Sequence, residues 1–134
     1  MKKYYFDTSI WLDYYLKRGV NGESALKLIY KIISEDNLII YSDILITELK
    51  RLGFFENEIN DMLNVAKPTN LRLIQSTKVQ SIETNKLVKQ RRVPFGDILH
   101  AVVARDNEAI FVSRDKHFEK LKDIIKVNIP EELI

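Results

Sequence analysis

Short apolar runs of strand length alternate along this chain with longer segments of helical spacing, and that alternation limits the fold more than any other feature. A buried strand needs only a few consecutive apolar residues, whereas an amphipathic helix repeats them three and four apart. Tyr4 to Phe6, Leu38 to Tyr41, Leu71 to Ile74, Ile110 to Val112 and Ile125 to Ile129 show the first pattern. Between the first two strands lie Ile10 to Leu16, opened by Thr8 or Ser9, and Glu23 to Glu35, with Leu26, Ile29, Ile32 and Ile33 in one stripe. After the second strand, Ser42 and Asp43 offer N-caps for a helix through Arg51 that Gly53 closes, and Glu56 to Lys67 follows before Pro68. Thr77 to Arg92 is a long polar helix stopped by Pro94, Asp97 caps another through Arg105, and His117 to Leu121 is a short last helix. Strands alternating with helices predict an α/β fold, with helices on both faces of a mostly parallel sheet. In such sheets ligands bind outside the carboxyl ends of the strands.

With 134 residues and no internal repeat, low-complexity tract or Pro/Gly/Ser linker, the chain is expected to form a single domain over 1–134. No apolar run approaches the roughly 20 residues of a membrane span. Met1-Lys2-Lys3 leads into only three apolar residues before Asp7, so no signal-peptide core is expected. The absence of Cys removes disulfides and thiolate metal sites and suits a reducing, cytoplasmic setting. Basic and acidic residues nearly balance, at 21 against 19, so any phosphate-binding surface must come from local clustering.

Two junctions share a layout: "KKYYFDTSIWLDYY" and "AIFVSRDKHFEKL" each run from a strand into a helix with an acid, Asp7 or Asp115, at the turning point. Both acids should reach the same sheet edge. Asp97 opens the helix before the fourth strand, and Glu48 lies one to two turns into the helix after the second, close enough to lean over that edge. Taken singly, each Asp is a helix cap and Glu48 a solvated helix residue. Together, carboxylates within ~4 to 6 Å of each other repel, and a divalent cation removes that cost. An all-oxygen set without Cys or paired His suits Mg²⁺ or Mn²⁺ and argues against zinc.

These residues resemble the PIN-domain ribonucleases, and among them the small VapC-like toxins of toxin–antitoxin pairs. "YYFDTSIWLDYY" is similar to the family's first strand and acidic turn, "YSDILITELKR" to its Ser and Glu helix, "VPFGDILHAVVA" to its third acidic segment and "IFVSRDKHF" to its fourth. The resemblance spans residues 4 to 118. It implies a three-layer α/β/α fold and metal-dependent endonuclease activity on RNA. Carried over, the metal-binding acids are Asp7, Glu48, Asp97 and Asp115, and the hydroxyl before the fourth acid is Ser113. It also implies a cognate antitoxin partner and a homodimer. "RRVPFG", before Asp97, is more basic than the family pattern.

The chemistry has its own logic. Phosphodiester cleavage needs a deprotonated water, a neutralised non-bridging oxygen and a stabilised leaving oxygen, all of which one or two Mg²⁺ ions can supply. Asp7 and Asp97 are assigned as direct ligands, Glu48 and Asp115 as direct or water-mediated ones, and Thr8 and Ser113 as hydroxyl donors to waters or a carboxylate. Lys86, Lys89, Arg91 and Arg92 form a basic set that either tracks RNA phosphates or complements a helix C-terminus. Asp13 is expected to face solvent, His100 to be packed or peripheral rather than a ligand, His117 to lack an acid–base partner, and Trp11, Tyr14 and Tyr15 to serve packing. The apolar load of the two helices from Ile44 to Lys67 suggests a partner-binding arm. A dehalogenase-type phosphatase would need an acid where Ser9 stands, and a receiver domain would need a phosphoacceptor Asp in "IQSTKV". A catalytically silent PIN-fold RNA- or protein-binding module would be expected to have lost acids. An RNA-processing or DNA nuclease on this fold shares the same acid set.

Overall fold

The computed structural model describes residues 1–134, and its strands are β1 (Lys3–Phe6), β2 (Leu38–Ser42), β3 (Leu71–Ile74), β4 (Ile110–Val112) and β5 (Val127–Asn128). All pair in parallel, in the order β3-β2-β1-β4-β5. Successive side chains on a strand point to opposite faces, so each strand feeds two cores. Tyr4, Phe6, Ile39 and Val112 join one cluster, with α1 (Thr8–Tyr15), α2 (Gly19–Ser34), α3 (Asp43–Arg51) and α4 (Glu56–Leu63) against that face. Tyr5, Leu38, Ile40 and Phe111 join the other, under α5 (Lys78–Arg91), α6 (Phe95–Asp106) and a 3₁₀ segment, Lys116–Leu121. The result is the expected three-layer α/β/α arrangement, and its sheet is parallel throughout. No helix is long and apolar enough to cross a membrane.

The chain leaves the central strand β1 toward β2 on one side and returns to β4 on the other. That change of direction opens a crevice at the carboxyl ends of β1 and β4, where Asp7 and Ser113 follow directly.

Several expectations shift. α6 begins at Phe95 with Pro94 as its N-cap, because the fixed φ of proline presets a helix start; Asp97 is therefore in the first turn and not the cap. Glu56 to Lys67 divides into α4 and a 3₁₀ turn, Asn64–Ala66, and the last strand shrinks to Val127–Asn128. The arm of α3 and α4 packs mostly inward, with Ile44, Leu45, Leu49, Ile59, Met62 and Leu63 buried and Leu52 and Phe55 exposed.

Candidate active site

Asp7 ends β1 and caps α1. Its Oδ1 accepts hydrogen bonds from the Ile10 amide at 3.2 Å and the Ser9 hydroxyl at 2.8 Å, and its Oδ2 accepts one from Ser113 Oγ at 2.5 Å. Burial pushes its pKa up to about 6 despite the opposing hydrogen bonds from Ser113 and Ser9. Ser113 Oγ in turn accepts from the Asp115 amide at 3.0 Å, which ties the loop after β4 to the loop after β1. Asp115 caps the 3₁₀ segment, accepting from the His117 amide at 2.9 Å.

Glu48 projects from α3 toward the same edge. Thr8 Oγ1 donates to its Oε1 at 2.9 Å, and His100 Nε2 pairs with the same oxygen. Burial alone would raise the Glu48 pKa, but the His100 contact, its charge and the Thr8 hydroxyl bring it below the usual range. His100 is buried, and its Nδ1 lies 2.6 Å from the Tyr5 hydroxyl, which lies 2.6 Å from Ser42 Oγ. A hydrogen-bonded chain from β2 through β1 and α6 therefore holds Glu48 in place. Gly96 permits this closeness, since a Cβ there would sit 3.2 Å from Glu48 Oε2.

Asp97 faces His117 across the cleft, with Nδ1 to Oδ2 at 2.9 Å, and the same nitrogen is 3.4 Å from Asp115. Burial and the Asp115 charge raise the Asp97 pKa, against the His117 hydrogen bond. Asp7, Thr8, Glu48, Asp97, His100 and Asp115 line a single cleft of about 240 Å³. On its Asp97 and Asp115 side, ligand atoms of those two acids and of His117 all lie within 4.8 Å of one another. Asp7 and Glu48 are outside that tightest group, each drawn to its hydroxyl or imidazole partners.

The four sequence-predicted acids and both hydroxyls therefore meet, and two histidines join them. His117 has the partners the sequence did not reveal, so the donor set gains an imidazole and is not all-oxygen. His100 is packed, as expected, yet it packs against Glu48; its spacing of three from Asp97 on one helix face was the available signal. Asp13 is buried and not solvent-facing, because Arg18 at 3.5 Å and Arg114 at 3.9 Å enclose it. Of the basic set, Arg91 is consumed by Asp123, at 2.5 and 2.6 Å, and by the Lys120 carbonyl. Arg92 is the left-handed cap of α5, and none of Lys86, Lys89, Arg91 and Arg92 lines the cleft.

Carboxylates with one imidazole and no thiolate fit a divalent metal ion. Burial raises the pKa of Asp7 and of Asp97, with the Asp115 charge adding to the latter, and a cation in the cleft would offset that cost of ionisation.

A family model described as PIN domain matches residues 4–124. The chain belongs to the PIN-domain family. The family is one of nucleases, and the acid-lined cleft of this PIN domain lies within the matched span. Among solved structures, VapBC2 from Rickettsia felis, bound to a DNA fragment from its promoter, matches with TM-score 0.72 at 16% identity, covering 95% of this chain and 98% of that one. VapBC-1 from nontypeable Haemophilus influenzae gives 0.68 at 16%, covering 96% and 98%. A toxin–antitoxin complex from Klebsiella pneumoniae gives 0.61 at 18%, covering 95% and 97%. At these identities the likeness is one of fold, and it extends over nearly the whole PIN domain. No curated protein matches the sequence.

Proposed function

We propose that residues 1–134 form a single PIN-like domain that is a Mg²⁺- or Mn²⁺-dependent endoribonuclease, the cytoplasmic VapC-like toxin of a toxin–antitoxin pair. The observation that carries this reading is the convergence of Asp7, Glu48, Asp97 and Asp115, from four separate segments, on one cleft at the carboxyl edge of the sheet. Asp7 and Asp97 would hold the ion directly, with Glu48, Asp115 and His117 completing its surroundings. Bound there, the ion supplies Lewis-acid activation of water and neutralises charge on the phosphate.

The chain's own residues do the positioning. Ser9 and Ser113 fix the Asp7 carboxylate, and Thr8 and His100 fix that of Glu48, so both stay ordered against mutual repulsion. Glu48, kept ionised by those contacts, is placed to orient an attacking water. The relatives of like fold that are toxin–antitoxin complexes support a protein partner, and the exposed Leu52 and Phe55 between α3 and α4 support a contact surface beside the cleft. A basic antitoxin side chain entering the cleft would relieve the same repulsion as the metal. A homodimer is part of this reading.

Purified protein should cleave RNA with Mg²⁺ or Mn²⁺ and stop on chelation. Asp7→Asn and Asp97→Asn should abolish cleavage while leaving the circular dichroism spectrum unchanged. Full cleavage after exhaustive chelation would eliminate the mechanism.

A further inference from the structure

The acid cleft is the middle of three adjoining depressions. On one side it shares Glu48 and Asp97 with a groove of about 570 Å³; on the other it shares Asp115 with a pocket of about 360 Å³. The flanks add what the centre lacks. Beside Glu48, Asp97 and an Asp43 already bonded by the Ser76 amide and hydroxyl, the groove presents the Phe95 ring, 40% exposed, and Arg51, which forms no ion pair. The pocket presents Lys116, Lys122 and Lys126, also free of ion pairs, against Glu119; its Arg114 is already held by Glu131.

A polymer whose scissile bond lies over the acids must occupy both flanks. The geometry points to a single RNA strand laid across all three depressions, its bases against Phe95 and Arg51 and its backbone phosphates over Lys122 and Lys126. An exposed ring stacks on unpaired bases, and unpaired lysines neutralise phosphates, which is how single strands are held without a helix to read. A basic protein arm would be repelled from the lysine pocket. Lys86, Lys89, Arg91 and Arg92 line none of the three depressions, so the strand path departs from the one suggested by the sequence.

This inference rests on the endoribonuclease reading, and one titration separates the two. Asp7→Asn protein in Mg²⁺ is titrated into a labelled single-stranded RNA of about 12 nucleotides, a length suited to a strand-tracking surface, at several salt concentrations. Replacing both Lys122 and Lys126 with Ala should weaken binding for every sequence and flatten the plot of log K against log salt by about 1.4 in slope, for two lost contacts. Phe95→Ala should weaken binding about tenfold with the slope unchanged, as loss of one stacked base implies. Replacing Lys86 and Lys89 should change neither quantity. Affinity lost at Lys86 and Lys89 but kept at Lys122 and Lys126 overturns the path, as does equal affinity for a duplex of the same sequence. If neither the Asp7→Asn protein in Mg²⁺ nor metal-free wild type binds RNA, and wild type with Mg²⁺ leaves it uncut, the endoribonuclease reading falls with the strand path.

Discussion

Asp7 serves its helix and the cleft with the same carboxylate, and the two roles demand different protonation costs. As a cap it accepts backbone and hydroxyl hydrogens; as a buried acid it resists ionisation. Its folded pKa of about 6 lies above the unfolded value near 3.8, so the folded state binds the proton more tightly. That contribution to stability is complete below about pH 4 and is lost as pH rises through about 6, amounting to about 3 kcal/mol. In metal-free buffer, Asp7→Asn should therefore gain about that much relative to wild type between pH 4 and pH 7, as read by urea unfolding at both pH values. A constant difference between the two proteins would show that Asp7 is not the strained acid. Ser113→Ala removes the 2.5 Å donor to Asp7. Since a hydrogen bond to a charged group is worth about 1.5–3 kcal/mol, the pH at which the metal-free protein loses the Asp7 contribution should rise by about one unit. Urea unfolding of metal-free Ser113→Ala protein across that pH range measures it.

At the scale of elements, the turn between α1 and α2 depends on a close approach rather than on a hydrophobic pattern. A Cβ on Gly22 would lie 2.6 Å from the Asp13 carbonyl oxygen, a backbone atom that cannot swing aside. Gly22→Ala should cost about 1–3 kcal/mol as the two helices are forced apart, seen as a lower urea midpoint with unchanged slope. The strand–helix alternation was legible because each period is local, and so were the acids at β1 and β4, where a strand visibly stops on a carboxylate. What stayed hidden depends on partners far along the chain. Asp13 is buried by Arg114, His117 finds Asp97 from another element, and Arg91 is neutralised by Asp123. Even the start of α6 misled, because Asp97 has the residue type of a cap while Pro94 sets the backbone.

For the molecule as a whole, a cation that binds only the folded cleft must stabilise it by mass action, about 2.7 kcal/mol at 100 times Kd. Thermal melts at pH 7 should therefore rise with Mg²⁺ or Mn²⁺ in wild type and stay flat in Asp97→Asn. Light scattering of the purified chain should give twice 15.7 kDa, and a mass of 15.7 kDa would remove the homodimer. The pairing of β1 with β4 has a further consequence in time. Asp7 receives its short hydrogen bond from a serine 106 positions later, and the fourth acid follows that serine by two. At ~5–20 residues per second, a ribosome needs roughly 5 to 20 s to travel that far. Throughout that interval the nascent chain carries an unfinished cleft, so on the endoribonuclease reading the message being read would be safe from its own product until residue 115 has emerged.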